Sequence, residues 1–134
     1  MSQKRMTIAG WVLTGLFALF MLGASIAPKL LGMKAAAASL RDLGWPTSYV
    51  ALIGGFELAF VLLYLVPRTS VLGAVLMTAL IGGAMAAHIR VGSPLFSHTL
   101  FGIYLSLFMW GGLWLRMPGL RALFPIDVTK KEGA

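Results

Sequence analysis

The 134-residue chain is 59% hydrophobic and only 11% charged, with eleven Lys and Arg against four Asp and Glu, a net charge of +7 and no cysteine. Soluble domains carry roughly 45–50% apolar and ~25% charged residues, so this composition leaves too little polar surface to clothe a water-facing globule and makes lipid its solvent. The absence of cysteine excludes disulfides, Cys-ligated metals and thiol catalysis, and the positive charges fall at segment ends and in loops, where they meet anionic lipid rather than nucleic acid.

Residues 1–7 form a basic cap carrying Lys4 and Arg5, and residues 8–26 follow without a charge. This start resembles a signal peptide, with small residues at Ser25-Ile26-Ala27. The apolar run exceeds a signal core of roughly 7–15 residues, however, and Pro28 would directly follow the cut. It therefore reads as a retained first span. Residues 28–46 are a connector in which 34–44 predicts a short interfacial helix, with Leu40 and Leu43 on one side, Arg41 and Asp42 on the other, and Gly44 placed to end it. Trp45 and Tyr49 belong at headgroup depth.

The second span, residues 49–66, has a single charge, Glu57. After the turn at Pro67-Arg68-Thr69 comes the third, residues 71–88, rich in small residues, where Gly82/Ala86 and Gly83/Ala87 are spaced for close helix approach. A loop with Arg90, Gly92 and Pro94 leads to the fourth span, residues 99–115, whose far interface is marked by Trp110 and Trp114. The eight Met and eight Phe read as lipid-facing filling. The expected fold is all-α: one membrane domain over 1–134, an antiparallel four-helix bundle with a short interfacial helix between the first two spans. Four spans place both termini on one side, with Lys4, Arg5, Arg68, Arg116, Arg121, Lys130 and Lys131 against Lys29, Lys34, Arg41 and Arg90 opposite. The positive-inside bias makes that side cytoplasmic.

A carboxylate inside a bilayer is expensive and normally faces protein, ligand or trapped water. At ~1.5 Å per residue, Glu57 lies about 12 Å below the outer end of its helix. Tyr104, Ser106 and Thr78 fall at comparable depth on the fourth and third spans and could face it, a protonated Glu57 donating to Tyr104 or to a carbonyl. His88 and His98 sit at the outer ends of the third and fourth spans and could meet at the mouth of the same space. Each has a plainer reading: Glu57 as glue between helices, the histidines as interfacial anchors, Arg90 on a lipid phosphate. Two histidines without a carboxylate or thiolate nearby are a thin ligand set, so no metal is assigned.

Pro28-Lys29-Leu30-Leu31, Leu43-Gly44-Trp45-Pro46, Gly54-Gly55-Phe56-Glu57-Leu58 and Pro67-Arg68-Thr69-x-x-Leu72-Gly73-Ala74 follow one another in order, continuing into Ala87-His88-Ile89-Arg90-Val91-Gly92 and Leu113-Trp114-Leu115-Arg116-x-Pro118-x-Leu120-Arg121. This ordered set resembles the short branch of the DoxX-like family of small bacterial four-span membrane proteins, over nearly the whole chain. The resemblance implies a location in the bacterial cytoplasmic membrane. The family takes its name from a subunit of an archaeal thiosulfate:quinone oxidoreductase, and relatives are associated with redox, quinone and thiol stress. Its family-like positions here are Glu57, His88 and Arg90, and a quinone is the cofactor it suggests.

Three functions follow from these residues. The first is a binding or accessory protein holding a quinone-like or lipidic ligand under Glu57, its ring among Phe56, Phe60, Phe101 and Tyr104, with Glu57, His88, Arg90 and His98 as polar contacts. The second is a membrane isomerase or quinone-linked oxidoreductase, with Glu57 and His88 as proton donor and acceptor. In the third, the chain is a structural subunit packing on itself or on a partner through the small-residue face of the third span.

Overall fold

The structure is a computed structural model, and it describes residues 1–130; Lys131, counted above among the cytoplasmic charges, lies outside them. Among the described residues every regular element is helical, and four helices are long and apolar enough to cross a membrane: Gln3–Leu30, Thr47–Leu65, Ser70–Arg90 and Leu95–Arg116. The connector holds a short helix, Lys34–Asp42, and a six-residue helix, Pro118–Leu123, follows the fourth span.

The first span departs most from expectation. Proline lacks an N–H and normally breaks a helix interior, yet this helix passes Pro28 and ends only at Leu30. It widens into a π-helical turn over Met21–Ile26, where the Ala27 N–H reaches back five residues to the Leu22 carbonyl. Such a turn changes the hydrogen-bond ladder just ahead of the proline, which then sits in the first turn of the resumed α-helix, where a missing N–H matters least. The consequence is positional. Lys29 is a helix residue, one turn beyond Ser25 on the same face.

Packing follows a narrow buried stripe on each helix. Gly10, Thr14, Phe17 and Met21 recur at spacings of four and three along the first span, as do Val50, Gly54, Glu57, Val61 and Tyr64 along the second. The opposite faces are also apolar, and Ile8, Leu19, Leu62, Leu72 and Leu107 stay exposed, as suits helices whose solvent is hydrocarbon. The first span packs chiefly on the fourth, the second on the third, and the third also on the fourth. Phe17, Met21, Met77 and Met109 fill the core with Val61, Tyr64 and Leu113, so the methionines and phenylalanines are divided between interior and lipid rather than all facing out; Phe96, Phe101 and Phe108 do lie outside.

Glycine sets the closest approaches, but at other positions than the sequence suggests. A Cβ on Gly10 would stand 2.7 Å from the Gly112 carbonyl oxygen, and one on Gly112 would stand 2.6 Å from Thr14 Oγ1. Gly102 likewise lies against Ile81 and Met85. Around Gly82 and Gly83, by contrast, nothing stands within 4 Å of an added Cβ. The third span meets facing backbone near its start, where Gly73 lies against the backbone of Leu63 and Tyr64, and not at Gly82 and Gly83; Gly83 and Ala87 look instead onto a cavity.

Candidate functional site

Glu57 is met by the first span, not by the third or fourth. Lys29 Nζ donates to both carboxylate oxygens at 3.2 Å, the Ser25 hydroxyl lies 3.0 Å from each of them, and Lys29 Nζ also donates to Ser25 Oγ at 2.6 Å. The sequence supplies this geometry in two steps. Ser25 and Lys29, four apart on one helix, converge on a common point. Gly54, one turn before Glu57, removes the side chain that would hold the first span off: a Cβ there would stand 2.8 Å from the Cβ of Lys29. The side chains of Lys29 and Glu57 remain 21% and 11% exposed. An acid inside an apolar helix is thus answered by an ammonium and a hydroxyl, which cancels its charge and satisfies both oxygens.

Thr78, Tyr104 and Ser106 are not among these partners. Thr78 donates to the Ala74 carbonyl and accepts from Trp110 Nε1 at 2.9 Å, and Tyr104 faces outward against the ring of Phe101.

The cluster stands beside a cavity of about 770 Å3 between the connector helix and the first three spans, lined by Ser25, Lys29, Leu40, Phe56, Gly83 and His88 among others. The size suits a small-molecule site. Its walls are mainly apolar, and the connector helix contributes Ala36, Ser39 and Leu43. Arg90 holds that helix by its end, donating to the Leu43 carbonyl at 2.5 Å beside Gly44, whose φ of +78° is the left-handed turn that stops the helix.

His88 and His98 do come together, rings edge to face with centroids 5.8 Å apart. Each Nδ1 is engaged by a neighbouring serine, His88 by Ser93 at 2.9 Å and His98 by Ser97 at 2.7 Å. Only His88 lines the cavity. Phe56 and Phe60 stack at 5.8 Å on the second span, while Phe101 lies against Phe20 and Tyr104; of these aromatics only Phe56 reaches the cavity. The candidate residues therefore divide into a set at the cavity (Phe56 and His88, with Glu57 behind Lys29 and Arg90 on the connector helix) and a set away from it (Phe60, His98, Phe101 and Tyr104).

The sequence profile of the DoxX-like family matches residues 12–112. The chain belongs to the DoxX-like family. No match was found among curated proteins or solved structures. In this DoxX-like chain the matched stretch takes in Ser25, Lys29, Glu57 and His88, so the whole cluster and the cavity beside it lie within the family portion.

A second polar knot sits toward the other ends of the same helices, and sequence reading missed it. Arg116 Nε donates to Thr14 Oγ1 at 3.2 Å, and the same guanidinium reaches Ser70 Oγ at 3.4 Å and the Tyr64 carbonyl at 3.3 Å. The Tyr64 hydroxyl donates to the Met109 carbonyl at 2.7 Å and lies 3.2 Å from Thr14 Oγ1. Trp11 covers the guanidinium at 4.1 Å. Thr14, Tyr64 and Ser70 are fully buried, and Arg116 lies beyond the matched residues 12–112. This knot ties the first, second, third and fourth helices together, with every buried side-chain polar atom among the described residues partnered, and none of its residues lines the cavity beside Lys29. The clue to Lys29 was the Ser25-x-x-x-Lys29 spacing, legible only if the helix is carried through Pro28. The clue to the knot was Thr14 on the buried stripe of an otherwise apolar span.

Proposed function

We propose that this chain is a ligand-binding accessory protein of the bacterial cytoplasmic membrane, holding a quinone-like or lipidic molecule in the cavity beside Ser25, Lys29 and Glu57. In this reading residues 1–134 are one antiparallel four-helix membrane domain, the connector helix lies at the membrane surface, and both termini are cytoplasmic. The observation that carries it is the position of the ion pair. A charged pair in an apolar helix bundle is a costly feature if structure is its only role, and this one contributes Lys29 and Ser25 to the wall of a cavity large enough for a ligand. The three N–H bonds of Lys29 face the two Glu57 oxygens and Ser25 Oγ, with a long fourth contact to the Ser25 carbonyl at 3.5 Å. A ligand oxygen at the cavity wall competes for one of the two longer carboxylate contacts, both 3.2 Å. His88 stands on another wall of the same cavity, Phe56 offers a ring face, and Arg90 secures the roof.

Ligand occupancy tests the reading. Protein purified in mild detergent carries a quinone or lipid detectable by mass spectrometry, and Glu57→Gln, which releases Lys29 from its counter-charge, lowers occupancy. Full occupancy and unchanged affinity in Glu57→Gln reject the role given to Glu57. Single-cysteine variants at Ser2 and at Ser97, labelled from outside intact cells, check the orientation: Ser97→Cys reacts and Ser2→Cys does not.

A second reading, an enzyme acting on a lipophilic substrate, draws on Lys29, Ser25 and His88 facing one space, since acid and base must reach a common reacting atom. It requires turnover of a bound lipophile that His88→Gln abolishes while binding persists.

A further inference from the structure

Lys29 borders two spaces. Besides the large apolar cavity it lines a smaller recess of about 330 Å3 on the other side of the connector, where Thr47 and Ser48 at the start of the second span join Gly32, Met33 and Val50. Met33 and Val50 also line both, so the two spaces adjoin along the same residues. They differ in chemistry. The cavity wall is mainly Ala, Leu, Ile and aromatic carbon, whereas the recess is lined in part by Thr47 and Ser48, whose hydroxyls bond to no other side chain or carbonyl among the described residues. Among the described residues no acidic side chain lines either space. Glu57 faces Lys29 from behind the wall.

We propose that the two spaces form one site for a single-chain amphiphile with a carboxylate or phosphate head, the head in the recess on Lys29, Thr47 and Ser48, and the hydrocarbon chain in the cavity. This rests on the ligand-binding reading above and narrows it to one class of ligand. The charge and donor pattern carries the choice. A recess lined by Lys29, Thr47 and Ser48, and by no acid among the described residues, favours an anionic acceptor once the Lys29 ammonium, which rests on Ser25 and Glu57, swings toward it. Hydrogen bonds from a charged donor to an anion are the strong ones. A neutral head uses the hydroxyls but not the charge. The apolar cavity excludes a second charge and favours a chain. Lys29 then bridges two anions, Glu57 on one side and the ligand head on the other, so Glu57 keeps the ammonium at the junction whether or not a ligand is present.

Quenching of Trp45, which lines the cavity, provides the measurement. The full-length protein is placed in nanodiscs of phosphatidylcholine and titrated with 9,10-dibromostearic acid or its methyl ester, compared at equal mole fraction in the bilayer; Trp45→Phe removes the signal that belongs to this site. The acid quenches saturably and binds about tenfold more tightly than the ester, a difference of about 1.4 kcal/mol. Lys29→Met brings acid and ester to equal affinity, Lys29→Arg preserves the preference, and Thr47→Ala with Ser48→Ala weakens the acid alone. Competition with lysophosphatidic acid against oleate then tells a phosphate head from a carboxylate. Equal affinity of acid and ester for the unaltered protein overturns the anionic head while leaving a cavity ligand in place. Absence of Trp45-dependent quenching by either probe overturns both the head and the cavity reading.

Discussion

Gly54 and Lys29 touch through carbon before any charge is involved: the missing side chain of the glycine is the space the Cβ of the lysine occupies, 2.8 Å from where a Cβ would lie. That neighbour is the root of a side chain on a packed helix, not a flexible tip. Gly54→Ala therefore pushes the first span away from the second and is expected to lose about 1–3 kcal/mol, the usual range for overpacking a tight contact. Gly55→Ala, with nothing within 4 Å of its Cβ, is the matched control and should be neutral or slightly stabilising through helix propensity. Thermal unfolding in detergent reads both. Equal behaviour of the two variants would refute the close approach.

The four apolar runs and the interior position of Glu57 were legible because membrane helices advertise themselves by length and a lone charge by contrast. Glu57 also falls on the Val50, Gly54, Glu57, Val61, Tyr64 stripe, a spacing visible in the sequence. Its partner was harder to see. Pro28 looks like a helix end, which turned Lys29 into a loop charge, and only the π-turn at Met21–Ile26 keeps it in the helix. The packing glycines were misread for a related reason. Small residues four apart permit close approach but do not say which face finds a partner, so Gly82 and Gly83 looked as good as Gly10 and Gly112. Arg116 was hidden by its place at a span end, where arginines commonly meet lipid phosphate. Here it turns inward beneath Trp11.

Removing one member of the Lys29–Glu57 pair strands the other. Lys29→Met leaves a carboxylate with one hydroxyl beside it, and Glu57→Met leaves an ammonium on an apolar wall; each should lose about 2–4 kcal/mol, near the low end of a fully buried pair because both side chains keep some exposure. The double variant Lys29→Met with Glu57→Met removes both charges and should be more stable than either single one. A double-mutant cycle measures the coupling. Strictly additive losses would mean the two groups do not stabilise one another.

The Arg116 knot makes a different prediction, because its acceptors are neutral and its geometry is forked. Arg116→Lys keeps the charge but loses the planar fan that reaches Thr14, Ser70 and the Tyr64 carbonyl at once, and the ring of Trp11 loses its flat partner. Tyr64→Phe removes the donor to the Met109 carbonyl from a site with no exposure and should lose about 1–3 kcal/mol. Both variants should unfold earlier while still binding ligand at the distant cavity. Parallel loss of ligand affinity in folded Tyr64→Phe protein would show that the two polar centres are coupled.

Gly83 separates fold from site most cleanly. Its Cβ position is open, it lines the cavity, and Gly82 beside it is equally open but lies outside the lining. Gly83→Leu should therefore be tolerated by the fold, gaining helix propensity and meeting no backbone, while its side chain occupies volume a ligand needs. The expected result is an unfolding temperature within a degree or two of the unaltered protein and a fall in ligand occupancy of about tenfold or more, since roughly 1.4 kcal/mol of lost contact suffices. Gly82→Leu should leave both unchanged. Should Gly83→Leu instead keep full occupancy with the same affinity, the bound molecule lies elsewhere. Should it unfold while Gly82→Leu does not, the small-residue face packs against something in the membrane, most simply a second copy of the chain, and the cavity is filled by protein rather than by ligand.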